Sequence, residues 1–160
     1  MNTPLLASFL LIFYPLVVDS STWFSDKSSS VKDKLKSILD QNYAYLLAGE
    51  PKKVLKFYTS DCVLIGQGAA PIVGKAALFK YFKAATSGPR TVSRNSVYID
   101  EIFDKGNIVT LRYTLTPHAK DCRVLFHSRV IIVWKKTKSG KYLIHNLISN
   151  VQENLCPSTS

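Results

Sequence analysis

From Val31 to Leu47 the apolar residues fall at positions 31, 35, 38, 39, 43, 46 and 47. Steps of three and four place them on one face of a helix. Ser28 to Ser30 offer N-cap side chains, and Gly49 stands where a helix would stop. Pro51 opens a second short helix, PKKVLKFY, because its fixed φ suits a first helical turn. Cys62 to Gly66 (CVLIG) predicts a short strand, Gly66 to Ala70 a turn, and Ile72 with Val73 a second short strand. Gly74 to Thr86 predicts a third helix with Leu78, Phe79 and Phe82 inward, ended by Ser87, Gly88 and Pro89.

After Pro89 the period falls to two. Thr91 to Phe103 predicts a long strand and Asp104 to Asn107 a hairpin turn. Ile108 to Thr116 alternates, with Val109, Leu111, Tyr113 and Leu115 toward a core and Thr110, Arg112, Thr114 and Thr116 toward water. Arg123 to Lys136 and Tyr142 to Val151 complete four antiparallel strands, joined by a turn at Thr137 to Gly140. Helices followed by a meander define an α+β domain, three N-terminal helices on one face of a curved, mostly antiparallel sheet.

The chain ends differ from this. Leu5 to Val18 is an uncharged run of 14 residues, short for a membrane span and suited to the core of a secretory leader. The expected division is a leader at 1–20, a polar flexible linker at 21–30, the folded domain at 31–152 and a tail at 153–160. The alternative for the first run is a buried helix, which Pro15 and the serines that follow disfavour. A secreted protein without a membrane span after leader removal is the expectation.

The charge is lopsided, at +10 over 160 residues. Without Asp19, which falls in the leader, 21 cations face 10 acids, a formal +11. Such a balance attracts polyanions and acidic surfaces weakly and without specificity. Lysines cluster at 32, 34 and 36, at 52, 53 and 56, and at 135, 136, 138 and 141. They form either a polyanion site or a solvated surface that protects sheet edges. Nucleic-acid motifs, phosphate loops and metal-spaced Cys/His clusters are not seen, and no cofactor is implied.

Cys62, Cys122 and Cys156 allow one disulfide and one free thiol. If the last hairpin sets Lys136 opposite Lys141, Cys122 falls opposite Leu155, beside Cys156. A Cys122–Cys156 bridge with Cys62 a buried thiol is the expectation, against three unpaired thiols.

Tyr43 to Gly74 contains a helix ending in Gly49-Glu50, then Phe57-Tyr58 followed by Asp61, a strand, a glycine turn, and Gly74 opening a helix. Arg129 to Trp134 (RVIIVW), Gly140-Lys141-Tyr142 and His145 to Asn150 (HNLISN) follow in the C-terminal part. Together these resemble the cone-shaped superfamily of nuclear transport factor 2, ketosteroid isomerase and SnoaL-like cyclases, in its branch similar to calmodulin-kinase association domains. The resemblance covers about Val31 to Val151. It implies a cone with an internal pocket between helices and sheet, and homodimers through the outer face of the sheet. The fold hosts isomerases, dehydratases, binding domains and assembly modules, so the pocket residues must decide.

Isomerase chemistry in that family needs a carboxylate base eight residues after the position of Tyr58, which here is Gly66, between Ile65 and Gln67. The second acid would lie near Arg129 and Val130, where there is none. Tyr43 matches the helix-borne tyrosine that donates to the oxyanion. A donor without a base does not make the isomerase, so no catalytic residue is assigned. Of the histidines, His118 sits in a loop, His127 is in phase with Arg129, and the side taken by His145 is open. Arg129 shares a phase with Ile131 and Val133 and is expected to point inward. It would there hold a carboxylate or sulfate, with Tyr43, Tyr113 or His127 nearby; the alternatives are a structural fork or exposure on the convex face. The expected function is binding of a small polar or anionic ligand. An isomerase, dehydratase or cyclase, or a protein- or polyanion-binding module, is the alternative.

Overall fold

In the computed structural model, residues 21–89 and 91–152 are described, with side chains from Val31 onward. The element order is helix α1 (Ser21–Ala48), helix α2 (Pro51–Val54), a 3-10 turn (Leu55–Phe57), strands β1 (Tyr58–Gly66) and β2 (Ile72–Val73), helix α3 (Gly74–Ala85), then strands β3 (Arg94–Lys105), β4 (Ile108–His118), β5 (His127–Lys136) and β6 (Tyr142–Gln152). The sheet runs β2-β1-β6-β5-β4-β3, antiparallel throughout except for the parallel pair of β1 and β6. This is the expected α+β arrangement of three helices on a curved, open sheet. The expected leader at 1–20 and the expected tail at 153–160 lie outside the described residues. Residues 21–30, expected as a loose linker, instead continue α1.

Local chemistry accounts for the ends of the elements. Gly49 closes α1 at φ 71, its N–H bonded to the Leu46 carbonyl while the Glu50 N–H reaches the Tyr45 carbonyl. This pair of bonds satisfies orphan carbonyls at a helix end, and only glycine enters that region without cost. Pro51 opens α2, but the helical path lasts one turn, and Tyr58 already belongs to β1 rather than to the helix. Between β3 and β4 the turn is only Gly106-Asn107, with Gly106 at φ 75, tighter than the four residues expected. Asp104 Oδ1 accepts the Gly106 N–H at 2.8 Å and ties the turn.

One core lies between the helices and the inner face of the sheet. Leu35 and Leu39 from α1, Val54 from α2, and Leu78 and Phe82 from α3 meet Cys62, Ile99, Val109, Leu111, Tyr113, Val130, Ile132, Trp134 and Ile144. Burial of this apolar surface is the main force holding the fold. The inner phase of β4 is the expected one. On β5 it is the opposite of the expected one: Ser128, Val130, Ile132 and Trp134 are buried, and Arg129 is exposed.

The register explains the tail. Lys136 pairs with Tyr142, one residue beyond the expected Lys141, and the pairing slips again between Val133 and Trp134. The extra residue in β6 is His145, a β-bulge that turns both His145 and Asn146 to the outer side. β5 begins only at His127, and Cys122 lies in the turn before it, at φ 66, with its N–H bonded to the Ala119 carbonyl. Among the described residues Cys122 is an exposed and Cys62 a buried thiol, and the two are not bridged to each other; the expected bridge partner Cys156 lies outside the described residues. Brief alkylation of the native protein with iodoacetamide is therefore expected to label Cys122 and spare Cys62 in the peptide map. An unlabelled Cys122 that becomes reactive only after reduction would show instead that it is bridged.

Candidate functional site

The four residues named from the sequence separate into two pairs on opposite sides of the sheet. Tyr43, from the C-terminal half of α1, meets Tyr113 of β4, their hydroxyls 2.7 Å apart. Tyr113 is fully buried on the inner face. Arg129 and His127 are on the outer face. Arg129 stands exposed between Thr114 and Asn150 and has no ion-pair partner among the described residues. His127 Nδ1 lies 3.1 Å from Thr116 Oγ1. The expectation that Arg129 points inward is thus corrected. RVIIVW is apolar in both phases, and the phase that carries Trp134 is the buried one.

A third phenol joins the inner pair. Tyr58, at the start of β1, is 3% exposed and stacks tilted on Phe82. Burial pushes the Tyr43 hydroxyl up to about 12 against a slight opposing effect of its bond to Tyr113. It also raises Tyr58 and Tyr113, each further raised by the neighbouring phenol Tyr43. All three stay neutral donors through the physiological range. In a bond between two hydroxyls only one proton is used, so the accepting phenol of the Tyr43–Tyr113 pair keeps its own proton for a third group.

Two more donors are buried here: Asn42 reaches toward the Tyr58 hydroxyl, and Trp134 Nε1 has no partner among the described residues. Asn42 is 3% exposed and sits in the same stripe as Leu35 and Leu39, one turn on. That spacing is visible in the sequence, and Asn42 was passed over because it is polar. Tyr58 is expected to face inward from the end of the PKKVLKFY helix; it is buried, but as the first residue of β1.

A cleft of about 310 Å³ opens beside Tyr43, lined by Tyr43, Leu46 and Leu47 of α1, Tyr81 and Phe82 of α3, and Leu115, Pro117, Phe126 and Asn95 from the sheet side; Tyr113 does not line it. No charged residue is among its described lining. The end of β1, where an isomerase would place its base, holds Ile65, Gly66 and Gln67; Gln67 Oε1 instead accepts the Val151 N–H at 2.8 Å. The arrangement can therefore donate hydrogen bonds to a buried oxygen, and it presents no carboxylate there to take a proton.

The histidines serve other ends. His118 is held at both ring nitrogens, by Ser96 Oγ at 3.0 Å and the Cys122 carbonyl at 3.3 Å. His145 Nδ1 lies 3.2 Å from Thr59 Oγ1 and 3.5 Å from Asp61 Oδ1. Hydroxyl and carboxylate approach the same ring nitrogen, so the three do not form a relay, which needs the two on opposite nitrogens. Asp61 is also 3.5 Å from Lys135 Nζ, and hydrogen bonds, from Thr59 first and the local backbone next, hold its carboxyl below the usual range.

Comparison with known proteins agrees with this fold. A family profile described as a SnoaL-like domain matches residues 39–144. Among solved structures, the chain is similar to a ketosteroid isomerase-like protein of Erwinia carotovora atroseptica, with TM-score 0.60 and 18% identity over 74% of this chain and 93% of that one. It is similar also to a Catenulispora acidiphila protein solved in complex with S-DNPA, with TM-score 0.63 and 14% identity over 77% and 94% of the two chains. A third likeness is to a nuclear transport factor 2-like protein of unknown function from Pseudomonas putida, with TM-score 0.63 and 8% identity over 79% and 90%. At these identities the structures share the fold alone. No curated protein matches the sequence.

Proposed function

The chain belongs to the SnoaL-like domain family, and from that premise we propose that it binds a small, largely apolar molecule through one acceptor oxygen in the cleft beside Tyr43. The observation that carries this reading is the Tyr43–Tyr113 hydroxyl pair, with one phenol proton left over, and Tyr43 itself lining a largely apolar cleft. The small-molecule complex of the Catenulispora acidiphila protein supports it. With Arg129 outside, the recognised group is an acceptor oxygen such as a carbonyl or ether rather than a full anion. Binding is favoured over isomerase, dehydratase or cyclase chemistry because the cleft offers donors without a base.

The proposal extends to the setting of the domain. Ile131 and Ile148 face each other across β5 and β6 on the outer face, 41% and 44% exposed, and Arg129 flanks them. This strip is the surface proposed to pair two copies. The Leu5–Val18 run supports secretion, and the net charge supports a weak, unspecific attraction to polyanions.

Native mass spectrometry of the protein recovered from the medium of a secreting host reads these points together. The expected result is a dimer lacking the leader and carrying a small molecule, which extraction then identifies. Tyr43→Phe is expected to weaken binding of that molecule by about two- to tenfold, the worth of one hydrogen bond between neutral groups. Undiminished binding by Tyr43→Phe, or a bound molecule without any oxygen, would remove the basis for the reading.

A further inference from the structure

A second cleft lies at the opposite end of the cone. Its volume is about 470 Å³, and it is lined by Lys34, Ser37 and Ile38 of α1, Lys56 and Phe57 of the 3-10 turn, and Gly140 to Leu143 at the start of β6, including Lys141. In the register of the sheet, this end holds the Lys136–Tyr142 pair, while the tyrosine cleft opens where Leu115 and Pro117 end β4. The two sites share no residue.

Three lysines from three separate segments converge on this cleft, and none of its lining residues is acidic. Three lysines find acids, Lys36 with Asp40 at 2.8 Å, Lys53 with Glu50 at 2.9 Å and Lys135 with Asp61 at 3.5 Å, and the other described lysines do not; what sets this cleft apart is that three of the unpaired ones line one concavity. Lys34, Lys56 and Lys141 have no such partner among the described residues. Lys136 adds a fourth cation at the edge, its Nζ 5.6 Å from the centre of the Tyr142 ring. Like charges gathered around one concavity repel unless an anion sits among them.

The walls between the lysines are hydrocarbon. Ile38 and Phe57 are half-buried against the core, and Tyr142 is 8% exposed. A solvated lysine surface needs no such floor. A polyanionic chain, which carries charge along its length and no apolar body, would leave it unused. We infer that this cleft binds an amphipathic organic anion, an aryl or alkyl body against Ile38, Phe57 and Tyr142 with a sulfonate, sulfate or carboxylate among Lys34, Lys56 and Lys141. The site is independent of the tyrosine cleft and of the reading given for it.

Calorimetric titration of the full chain with 1-naphthalenesulfonate, and with the uncharged 1-naphthalenemethanol, tests this. The sulfonate is expected to bind at least tenfold more tightly than the alcohol, with affinity falling as salt rises. Each single change, Lys34→Gln, Lys56→Gln or Lys141→Gln, is expected to weaken the sulfonate by about two- to fivefold, and the three together by more than tenfold. Replacing Lys75, Lys80 and Lys83 of α3 with Gln removes the same charge elsewhere and is expected to change binding less than twofold. The inference fails if the two triple variants lose affinity alike, if the alcohol binds as well as the sulfonate, or if millimolar sulfonate gives no heat. It fails also if the cleft lysines govern only retention on heparin, which would make the region a polyanion surface. Circular dichroism of each variant confirms that its fold is intact.

Discussion

Above pH 10 the protein is expected to lose stability steeply, with a slope approaching three protons per molecule. Tyr43, Tyr58 and Tyr113 all have their hydroxyls raised by burial, Tyr43 to about 12 and the other two also upward. In the unfolded chain each titrates near the ordinary value of about 10. Their contribution is therefore complete below pH 10. It is lost as pH rises from there, because the unfolded state releases protons that the folded state retains. Each retained proton costs about 1.4 kcal/mol per pH unit, so three phenols together can remove several kcal/mol before pH 12. That is a large part of the roughly 5–15 kcal/mol that holds a typical domain together. Urea denaturation at half-unit steps from pH 9 to 11.5 measures it. Tyr113→Phe is expected to reduce the slope by close to one proton. A profile flat across this range would mean that the three phenols ionise as freely in the folded protein as in water.

Replacing Trp134 with alanine is expected to cost about 3–5 kcal/mol, and replacing it with phenylalanine less than about 1.5 kcal/mol. Trp134 is fully buried between Ile144 across the pair with β6 and Val109 across the pair with β4. Alanine leaves a cavity in the middle of the core, which the rigid sheet cannot close. Phenylalanine loses some volume but also removes an indole N–H that has no partner. An unpaired buried donor costs about 1–3 kcal/mol, which offsets the lost contacts. Thermal and urea unfolding of the two variants distinguish these terms. If phenylalanine proved as damaging as alanine, the indole N–H would have to be making a bond, to ordered water or to a ligand, that stabilises the native protein.

Periodicity alone located most elements of this fold, because α1, α3 and β4 each present one apolar face to one core. It could not place β5. Val130, Ile131, Ile132 and Val133 are apolar in both phases, so alternation carries no direction, and no tight turn joins β4 to β5 to transmit the register. The clean alternation of β4 reaches β5 only through pairs such as Leu111 with Ile132 and Tyr113 with Val130, which exist once the sheet is assembled. Arg129 was drawn inward by that ambiguity. His145 escaped for a related reason: a bulge inserts one residue and reverses the phase of everything before it. Tyr43 and Tyr113 were legible because each sits on an unambiguous face. Their meeting was not, since it depends on the angle at which α1 crosses the sheet. The lysine cleft was visible only as three separate clusters, with Lys56 22 positions after Lys34 and Lys141 85 positions after Lys56; folding makes them neighbours.

The parallel pairing of β1 with β6 has a consequence for how the chain acquires this structure. β1 is bordered by β2 on one side, a neighbour of two residues, and by the final strand on the other. During synthesis, Tyr58–Gly66 emerges long before Tyr142–Gln152, and in that interval its longer edge has no partner. The meander of β3, β4 and β5 joins neighbours through shorter connections and can assemble first. Pairing of β1 along its longer edge must wait for β6, so closure of the cone on that side is a late event governed by long-range contacts. The tyrosine site takes one residue from α1 and one from β4, so it belongs to no single segment of the chain and exists only where the helix layer has docked on the meander.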